Sequence, residues 1–323
     1  LLSPTLIDEL LMQDYVTVTA DDALENDVRL LVRLAIAEDL SNAIDWTTVC
    51  MIEDDLVGGC EVVPRVDGVC AGMAILPWIV DEFDADLELE MLLEDGQPLV
   101  PGQPMARLRG NVRDLLTTER TILNLLSRTC GVATLVRRYV DAIAGSKANV
   151  YDTRKTTPGW RLLEKYAVAC GGGRNHRRGL YDGFLIKDNH LQLAGKNGVP
   201  VPASEAAKKA LQWRGGQVEH LTAPSIVEIE VDSLEQLRDV LPVSPDIVLI
   251  DNFSLDDIHA AVTMRDELNS AVELEVSGNV KLDTIVAIAK TGVERISSGA
   301  LTHQATWLDL GLDWFDTQDK SAS

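Results

Sequence analysis

The sequence predicts an α/β protein in two parts: a sheet-bearing α+β region ending near Asp114, and a run of βα units from about residue 148 that suits a (β/α) barrel. Three observations carry this. From residue 148 strand-like runs alternate with helix-like runs, the pattern of a parallel sheet. One run, Ile247-Val248-Leu249-Ile250, is continuously apolar, as befits a strand covered on both faces. Six successive strand ends carry residues of functional type, which a barrel gathers on a single face.

Taken in order, residues 27–38 place apolar side chains at helical spacing. Residues 56–69 read as short strands punctuated by Gly58-Gly59 and Asp67-Gly68. Residues 84–93 alternate apolar and acidic positions like a half-exposed strand, Val100-Pro101-Gly102 is a turn, and 104–109 is another strand. A long helix is expected over 115–139. It carries Ile122, Leu125, Leu126, Thr129 and Ala133 on one face and Arg120, Asn124, Ser127 and Arg128 on another. Strands then follow at 149–152, 181–187, 225–231, 246–251, 271–277 and 293–297. Helices fall at 161–170, 203–212, 234–241, 255–269 and 282–290. Six units are fewer than the eight of a full barrel. Residues 212–225 read as a surface loop, and the tail from 309 reads as frayed.

The net charge of the 323 residues is −22, yet residues 120–190 hold 13 Lys and Arg against 5 Asp and Glu. Such an island repels itself, and a bound anion in a focused cleft offsets the repulsion. It contains Arg154, Lys155, His176, Arg177 and Lys187 among glycines and threonines, which points to a small ligand with several negative charges. The strand ends agree. Asp152, Arg154 and Lys155 follow the first, and Lys187, Glu230 and Asp251 end the next three. Ser277-Gly278 and Ser298-Gly299 at the last two suit a phosphate cradle of backbone N–H groups at helix starts.

The acidic balance disfavours nonspecific nucleic-acid binding. The longest uncharged, mostly apolar run, 69–80, is interrupted by Gly72 and Pro77 and is too short to span a membrane. The opening LLSPTLIDELLMQDY lacks a basic n-region, so no signal peptide is expected. Five cysteines without a CxxC pair argue against disulfides and structural zinc, and for reduced thiols in the cytoplasm. Walker A and GxGxxG motifs are absent.

In these motifs the chain resembles the quinolinate phosphoribosyltransferase family. The matching blocks are TERTILNLLSRTCGVAT (118–134), DTRKTTPGWRLLEKYAV (152–168), GGGRNHRRGLYDGFLIKDNH (171–190), EIEVDSLEQL (228–237), DIVLIDNF (246–253), LEVSGN (274–279) and GVERISSGALTHQA (292–305), in the family's order. AEDLSNAIDWTT (37–48) matches less closely. The resemblance implies an N-terminal α/β sandwich domain over 1–120 and an incomplete (β/α) TIM-like barrel over 121–304, with a tail, 305–323, that could return to the first domain. It implies transfer of phosphoribosyl from phosphoribosyl pyrophosphate to the ring nitrogen of quinolinate, with loss of CO2, a requirement for Mg2+, and a homodimer that shares its sites. Arg120 (from across the dimer interface), Arg154, His176 and Arg177 match the quinolinate binders. Lys155, Lys187, Glu230, Asp251, Ser277, Gly278, Ser298 and Gly299 match positions for phosphoribosyl pyrophosphate. Among these, Glu230, Asp251 and Lys155 are the expected catalytic set, and Glu230 and Asp251 the expected Mg2+ ligands beside a pyrophosphate that is its main holder.

The chemistry is consistent. Arginine meets a carboxylate bidentately, and quinolinate has two. As pyrophosphate departs the ribose becomes oxocarbenium-like, and Glu230 and Asp251 would stabilise that charge. Asp232-Ser233 and Ser254 to Asp257 supply the neighbouring helix caps, which leaves both acids for function. Arg178 is read as solvent-facing. Asn279 stands where the family usually has glycine, and asparagine tolerates left-handed backbone angles. The nearest competitor is a paralogous phosphoribosyltransferase on the same fold acting on another pyridine. An aldolase-like lyase using Lys187 as a Schiff base and a non-catalytic metabolite sensor are more distant readings.

Overall fold

Residues 14–315 are described by the computed structural model, and they fall into two units that interleave along the chain. The first unit takes 18–138, 155–173 and 301–315; the second takes 14–17, 139–154 and 174–300. The expected division was 1–120 and 121–304, with a tail, 305–323, that could return to the first domain. Residues 1–13, most of the stretch read for a signal peptide, and 316–323 lie outside the described residues.

In the first unit, helix α1 (Asp22–Leu40) starts earlier than expected, because the Asp21 carboxylate accepts the Ala23 and Leu24 amides, each at 3.1 Å. It buries Leu24, Val28 and Val32. Two further helices, α2 (Trp46–Met51, capped by Asp45) and α3 (Leu76–Glu82, with proline in its first turn), were missed. Both are too short for a helical repeat to show. Strands β1 (Val57–Pro64), β2 (Gly68–Val69), β3 (Leu87–Met91), β4 (Pro98–Leu99) and β5 (Ala106–Asn111) fall in or beside the expected windows, and β2 pairs with β4. Helix α4 runs Val112–Ala142, and its predicted apolar face is buried from Ile122 to Ala133. Its predicted polar face is not uniform: Arg120 is exposed, whereas Arg128 is 9% exposed. Helix α5 (Arg161–Cys170) belongs to this unit and packs on α1.

Residues 310–315 of the tail expected to fray are a strand, and its polar end, 316–323, lies outside the described residues. The antiparallel sheet of this unit runs β14-β1-β5-β3, with β14 spanning Leu310–Phe315. Its register against β1 extends from Gly59 opposite Phe315 to Pro64 opposite Leu310. Arg65 grips Asp313 at 2.5 Å, and Arg107 on β5 reaches Glu61 at 2.7 Å and Glu90 at 3.2 Å across both neighbouring strands.

The second unit supplies the predicted βα repeats. Its strands are β6 (Asn149–Tyr151), β7 (Phe184–Ile186), β10 (Val227–Val231), β11 (Ile247–Asp251), β12 (Glu273–Ser277) and β13 (Arg295–Ser297), each inside its expected window. Between them run α6 (Asp188–Ala194), α7 (Ala203–Trp213), α8 (Leu234–Val240), α9 (Leu255–Leu268) and α10 (Ile285–Ala289). The expected surface loop holds an exposed hairpin, β8 (Gln217–Val218) with β9 (Leu221–Thr222). The six strands pair in parallel in the order β6-β13-β12-β11-β10-β7. Of these six, the first in sequence, β6, lies beside the last, β13, so the sheet curls into a barrel open between β6 and β7. At that opening Tyr151 and Arg174 form a lone parallel bridge.

Register divides the faces. Neighbouring residues in the ladder point the same way. Glu230 is opposite Leu249, Leu249 opposite Glu275, Glu275 opposite Arg295, Asp251 opposite Ser277, and Ser297 opposite Tyr151. These side chains share the inner face, together with Glu228 and Glu273 two residues earlier on their strands. The alternate positions, Val227, Ile229, Val248, Ile250, Leu274, Val276 and Ile296, are apolar and buried.

Candidate active site

Parallel strands end on one side, so the second unit brings Arg154, Lys187, Glu230, Asp251, Ser277, Gly278, Ser298 and Gly299 to the same rim. Lys187, ending β7, forms an ion pair with Glu230, ending β10. Asp251 accepts from the Asn252 side-chain amide at 2.7 Å, and the Asn252 backbone N–H donates to the Ser277 carbonyl at 3.2 Å. Ser254 and Ser233 cap α9 and α8 as expected, which leaves Asp251 and Glu230 out of the caps.

The Ser277 turn is not a helix start, since α10 begins only at Ile285. It is a left-handed turn instead. Gly278 has φ 89°, and a Cβ there would lie 2.3 Å from the Asn252 side-chain oxygen. Asn279 follows at φ 48°, the left-handed conformation foreseen for it. Asn279→Ala is therefore expected to lower stability by about 1 kcal/mol and Asn279→Gly by less, measured as shifts in denaturation midpoint. Equal midpoints for the two variants would show that this backbone angle is not the constraint. After β13, Ser298 donates its hydroxyl to the Val280 carbonyl at 3.0 Å and accepts from the Ala300 amide at 3.3 Å, at the head of the short helix α11 (Ala300–His303).

The loop after Gly173 is organised by Asp152. This fully buried carboxylate accepts the His176 amide and the Asn175 side-chain amide, both at 2.8 Å. Arg177 is 7% exposed, and its guanidinium donates to the Gly183 carbonyl at 3.3 Å. Burial depresses its pKa, and the charge of Arg154 adds to that depression. Tyr15 and Glu228 act in the opposite sense without reversing the shift. Arg178 is taken up by Asp182 rather than by solvent.

His176 has partners at both ring nitrogens. Its Nδ1 accepts the Arg177 amide at 2.8 Å, and its Nε2 lies 3.0 Å from Glu228 and 3.5 Å from Glu275. The Tyr15 ring stacks on it, with centroids 4.6 Å apart. Burial works against the imidazolium, but Glu228 and then Glu275 outweigh it, so the pKa is raised. The Nδ1 contact opposes that, because a proton there would displace the Arg177 amide. The charge on His176 and the position of Arg177 are therefore linked, and the hydrogen bonds observed are those of the neutral ring protonated at Nε2.

Beneath this lies a polar interior that sequence reasoning missed. Arg295, 1% exposed, donates to Glu275 at 2.9 Å, Asp14 at 2.9 Å and the Tyr151 hydroxyl at 3.0 Å, and lies 3.7 Å over the Tyr151 ring. Asp14 also accepts from Tyr151 at 2.8 Å and from Arg174 at 3.0 Å. The signal was the alternation itself. In VEIEV, Glu228 shares its face with Glu230, and in ELEVS, Glu273 and Glu275 share theirs with Ser277.

Arg120 and Lys155 belong to the first unit, and both are exposed. Lys155 lines a cavity of about 540 Å³ there with Arg128, Thr156, Thr157, Trp160 and His303. Arg128 donates to Glu164 at 2.5 Å and to the Thr302 and Ala305 carbonyls at 2.8 and 2.9 Å. Glu164 in turn accepts the Thr157 amide at 3.1 Å and hydroxyl at 2.9 Å. One buried ion pair thus fixes the loop carrying Lys155 and the segment carrying His303. Both partners lie in blocks noted in the sequence, Arg128 in LLSR and Glu164 in RLLEK, but helical spacing could not show that they meet.

Comparison with known proteins finds relatives along most of the chain. The family models "Quinolinate phosphoribosyl transferase, N-terminal domain" and "Quinolinate phosphoribosyl transferase, C-terminal domain" match residues 45–130 and 132–313. A carboxylating nicotinate-nucleotide pyrophosphorylase of Mycobacterium leprae is 42% identical over 285 residues, 87% of this chain and 95% of that protein. A probable carboxylating nicotinate-nucleotide pyrophosphorylase of Synechocystis is 37% identical over 86% of this chain and 89% of that protein. The solved nicotinate-nucleotide pyrophosphorylase of Francisella tularensis superposes with a TM-score of 0.82 at 35% identity, covering 94% of this chain and all of that one. With both family domains matched in order and the fold shared along nearly its whole length, the chain belongs to the quinolinate phosphoribosyltransferase family.

Proposed function

We propose that this protein transfers phosphoribosyl from phosphoribosyl pyrophosphate to quinolinate with decarboxylation, giving nicotinate mononucleotide, CO2 and pyrophosphate for NAD biosynthesis. What supports the reading is a cationic lining: Arg177 is buried and held by the Gly183 carbonyl, with Arg154 near enough to oppose its charge, in a barrel whose rim also presents acids and left-handed turns. Two guanidinium forks call for two carboxylates. A pyridine with one carboxylate, as the paralogous reading requires, would leave a fork unused.

The ring nitrogen attacks C1 of the ribose, and the C1–O bond breaks with its electron pair leaving on pyrophosphate. Glu230 and Asp251, at adjacent strand ends, stabilise the positive charge on the sugar. The pyridinium nitrogen so formed draws in the electron pair of the neighbouring C–CO2 bond, and the ring carbon takes a proton. Lys155 and Lys187 hold phosphate and ribose oxygens, and the turns at Ser277-Gly278 and Ser298-Gly299 offer backbone N–H groups to phosphate. His176 holds Arg177 in place. Glu230 and Asp251 are hard oxygen donors that fit Mg2+ sharing its shell with pyrophosphate, whose departure the ion would ease.

A homodimer is part of this reading. Arg120, exposed on α4, would reach the site of a second copy. Exposed Trp46, Met51, Leu30 and Leu34 in the same unit form apolar surface that a partner would cover. A cytoplasmic location accords with five free cysteines. No helix among the described residues is long and apolar enough to cross a membrane.

Purified protein with quinolinate, phosphoribosyl pyrophosphate and Mg2+ should yield nicotinate mononucleotide by mass, and quinolinate consumed without CO2 release would remove the reading. Asp251→Asn should lower kcat about thirtyfold with little change in either KM, because the charge it meets develops only in the transition state. A raised KM with an unchanged kcat would give Asp251 a binding role instead.

A further inference from the structure

We infer that Tyr15, on the segment ahead of α1, is a positioning residue that sets the quinolinate affinity of Arg177 from the far end of the barrel. The inference rests on the proposed role of Arg177. Tyr15 is 5% exposed and packs with Ile226 and Ile247, at the amino-terminal ends of β10 and β11, opposite the rim. From there it touches each group that fixes Arg177. Its ring stacks on His176, whose Nδ1 holds the Arg177 amide. Its edge lies against Gly183, whose carbonyl holds the Arg177 guanidinium. A Cβ on Gly183 would come within 2.7 Å of that ring, so the glycine is the space that Tyr15 occupies. Its hydroxyl donates to Glu228 at 2.9 Å, the carboxylate that orients the other nitrogen of His176. Ring and hydroxyl therefore do separable work. The ring wedges the backbone and side-chain anchors of Arg177, and the hydroxyl satisfies a buried acid.

This predicts a split in kinetic constants that general loosening of the fold would not give. Tyr15→Leu should raise the KM for quinolinate about tenfold and leave the KM for phosphoribosyl pyrophosphate nearly unchanged. Tyr15→Phe, which keeps the wedge, should restore most of the quinolinate affinity. Arg177→Ala, measured alongside, separates the two ideas. If Arg177→Ala weakens quinolinate while Tyr15→Leu leaves its KM unaltered, or raises both KM values together, the positioning role is overturned and the function stands. If Arg177→Ala leaves quinolinate affinity intact, the assignment of Arg177 fails and the inference fails with it. Should Tyr15→Leu not fold, Gly183→Ala presses on the same wedge from the opposite side and should raise the same KM selectively; equal changes in both KM values would overturn the inference there too.

Discussion

Arg154→Ala is expected to raise the KM for quinolinate about a hundredfold or more while the KM for phosphoribosyl pyrophosphate moves only a few-fold. The size comes from the groups that the truncation leaves behind. A substrate carboxylate drawn out of water against one guanidinium instead of two loses a charge-assisted, bidentate contact, and truncating such a pair costs roughly 2–5 kcal/mol. The direction of the Arg177 shift sharpens this. Burial first, and the neighbouring Arg154 in addition, work against its charge, so a bound carboxylate would favour the charged form of Arg177. Removing Arg154 removes the repulsion together with the attraction. For this reason Arg177 is expected to hold a monocarboxylate pyridine in the variant nearly as well as in the parent. Arg154→Lys should recover little, because an ammonium offers a point charge where a planar fork is needed. Titration of quinolinate by calorimetry, with circular dichroism to verify the fold, distinguishes these outcomes. Unchanged quinolinate affinity in Arg154→Ala would take this residue out of the site and with it the observation on which the function rests.

The rim of the barrel was legible in the sequence because strand ends are a local matter. The run Ile247 to Ile250 marks a buried strand, and the residues just after such a strand lie at its carboxyl end, on the side where all parallel neighbours end. Lys187, Glu230, Asp251 and Ser277 could thus be assigned to one edge before any coordinates. The left-handed turn at Asn279 was legible for the same reason, since backbone tolerance is a property of the residue. Features that depend on pairing between distant segments escaped. Glu228 and Glu275 look like solvent-facing alternates until the ladder register turns both inward toward Arg295. Arg128 looks like one more polar position on α4 until Glu164, 36 residues later, closes on it. The tail looked frayed because an edge strand is stabilised by its partner, β1, and not by its own composition. His176 was assigned to the substrate by its neighbours in sequence. Its neighbours in space include Tyr15, Glu228 and Glu275, contacts set by ladder register and by the segment ahead of α1 that the motif alone does not show.

Arg295→Met should cost the barrel unit about 3–5 kcal/mol at neutral pH, the usual penalty for deleting one partner of a buried ionic cluster. Methionine fills similar volume, so the loss is one of charge. Glu275, fully buried, keeps only His176 nearby, and Asp14 and Glu273 lose the guanidinium they share. The pH dependence identifies the cause. In the parent, burial pushes the Asp14 and Glu228 pKa values up, but Arg295 for Asp14, and His176 with Arg295 for Glu228, hold both below the ordinary range. Groups with depressed folded pKa values contribute stability above their unfolded pKa and lose it as pH falls through the folded one, so the parent weakens on acidification. In the variant Asp14 loses its main cation and Glu228 keeps only His176, so both folded pKa values rise. Glu273, already raised by burial, should protonate first. A group whose folded pKa is raised favours the folded state as pH drops through it, and the deficit between variant and parent should shrink toward about pH 5. Urea midpoints at about pH 7.5 and about pH 5 measure this directly. Adding Glu275→Leu to Arg295→Met should recover part of the loss at the higher pH, because an apolar pair replaces a stranded charge. A deficit that is the same at both pH values, and that the second substitution deepens, would mean that Arg295 supports the barrel by packing over Tyr151 and not by neutralising the acids inside it.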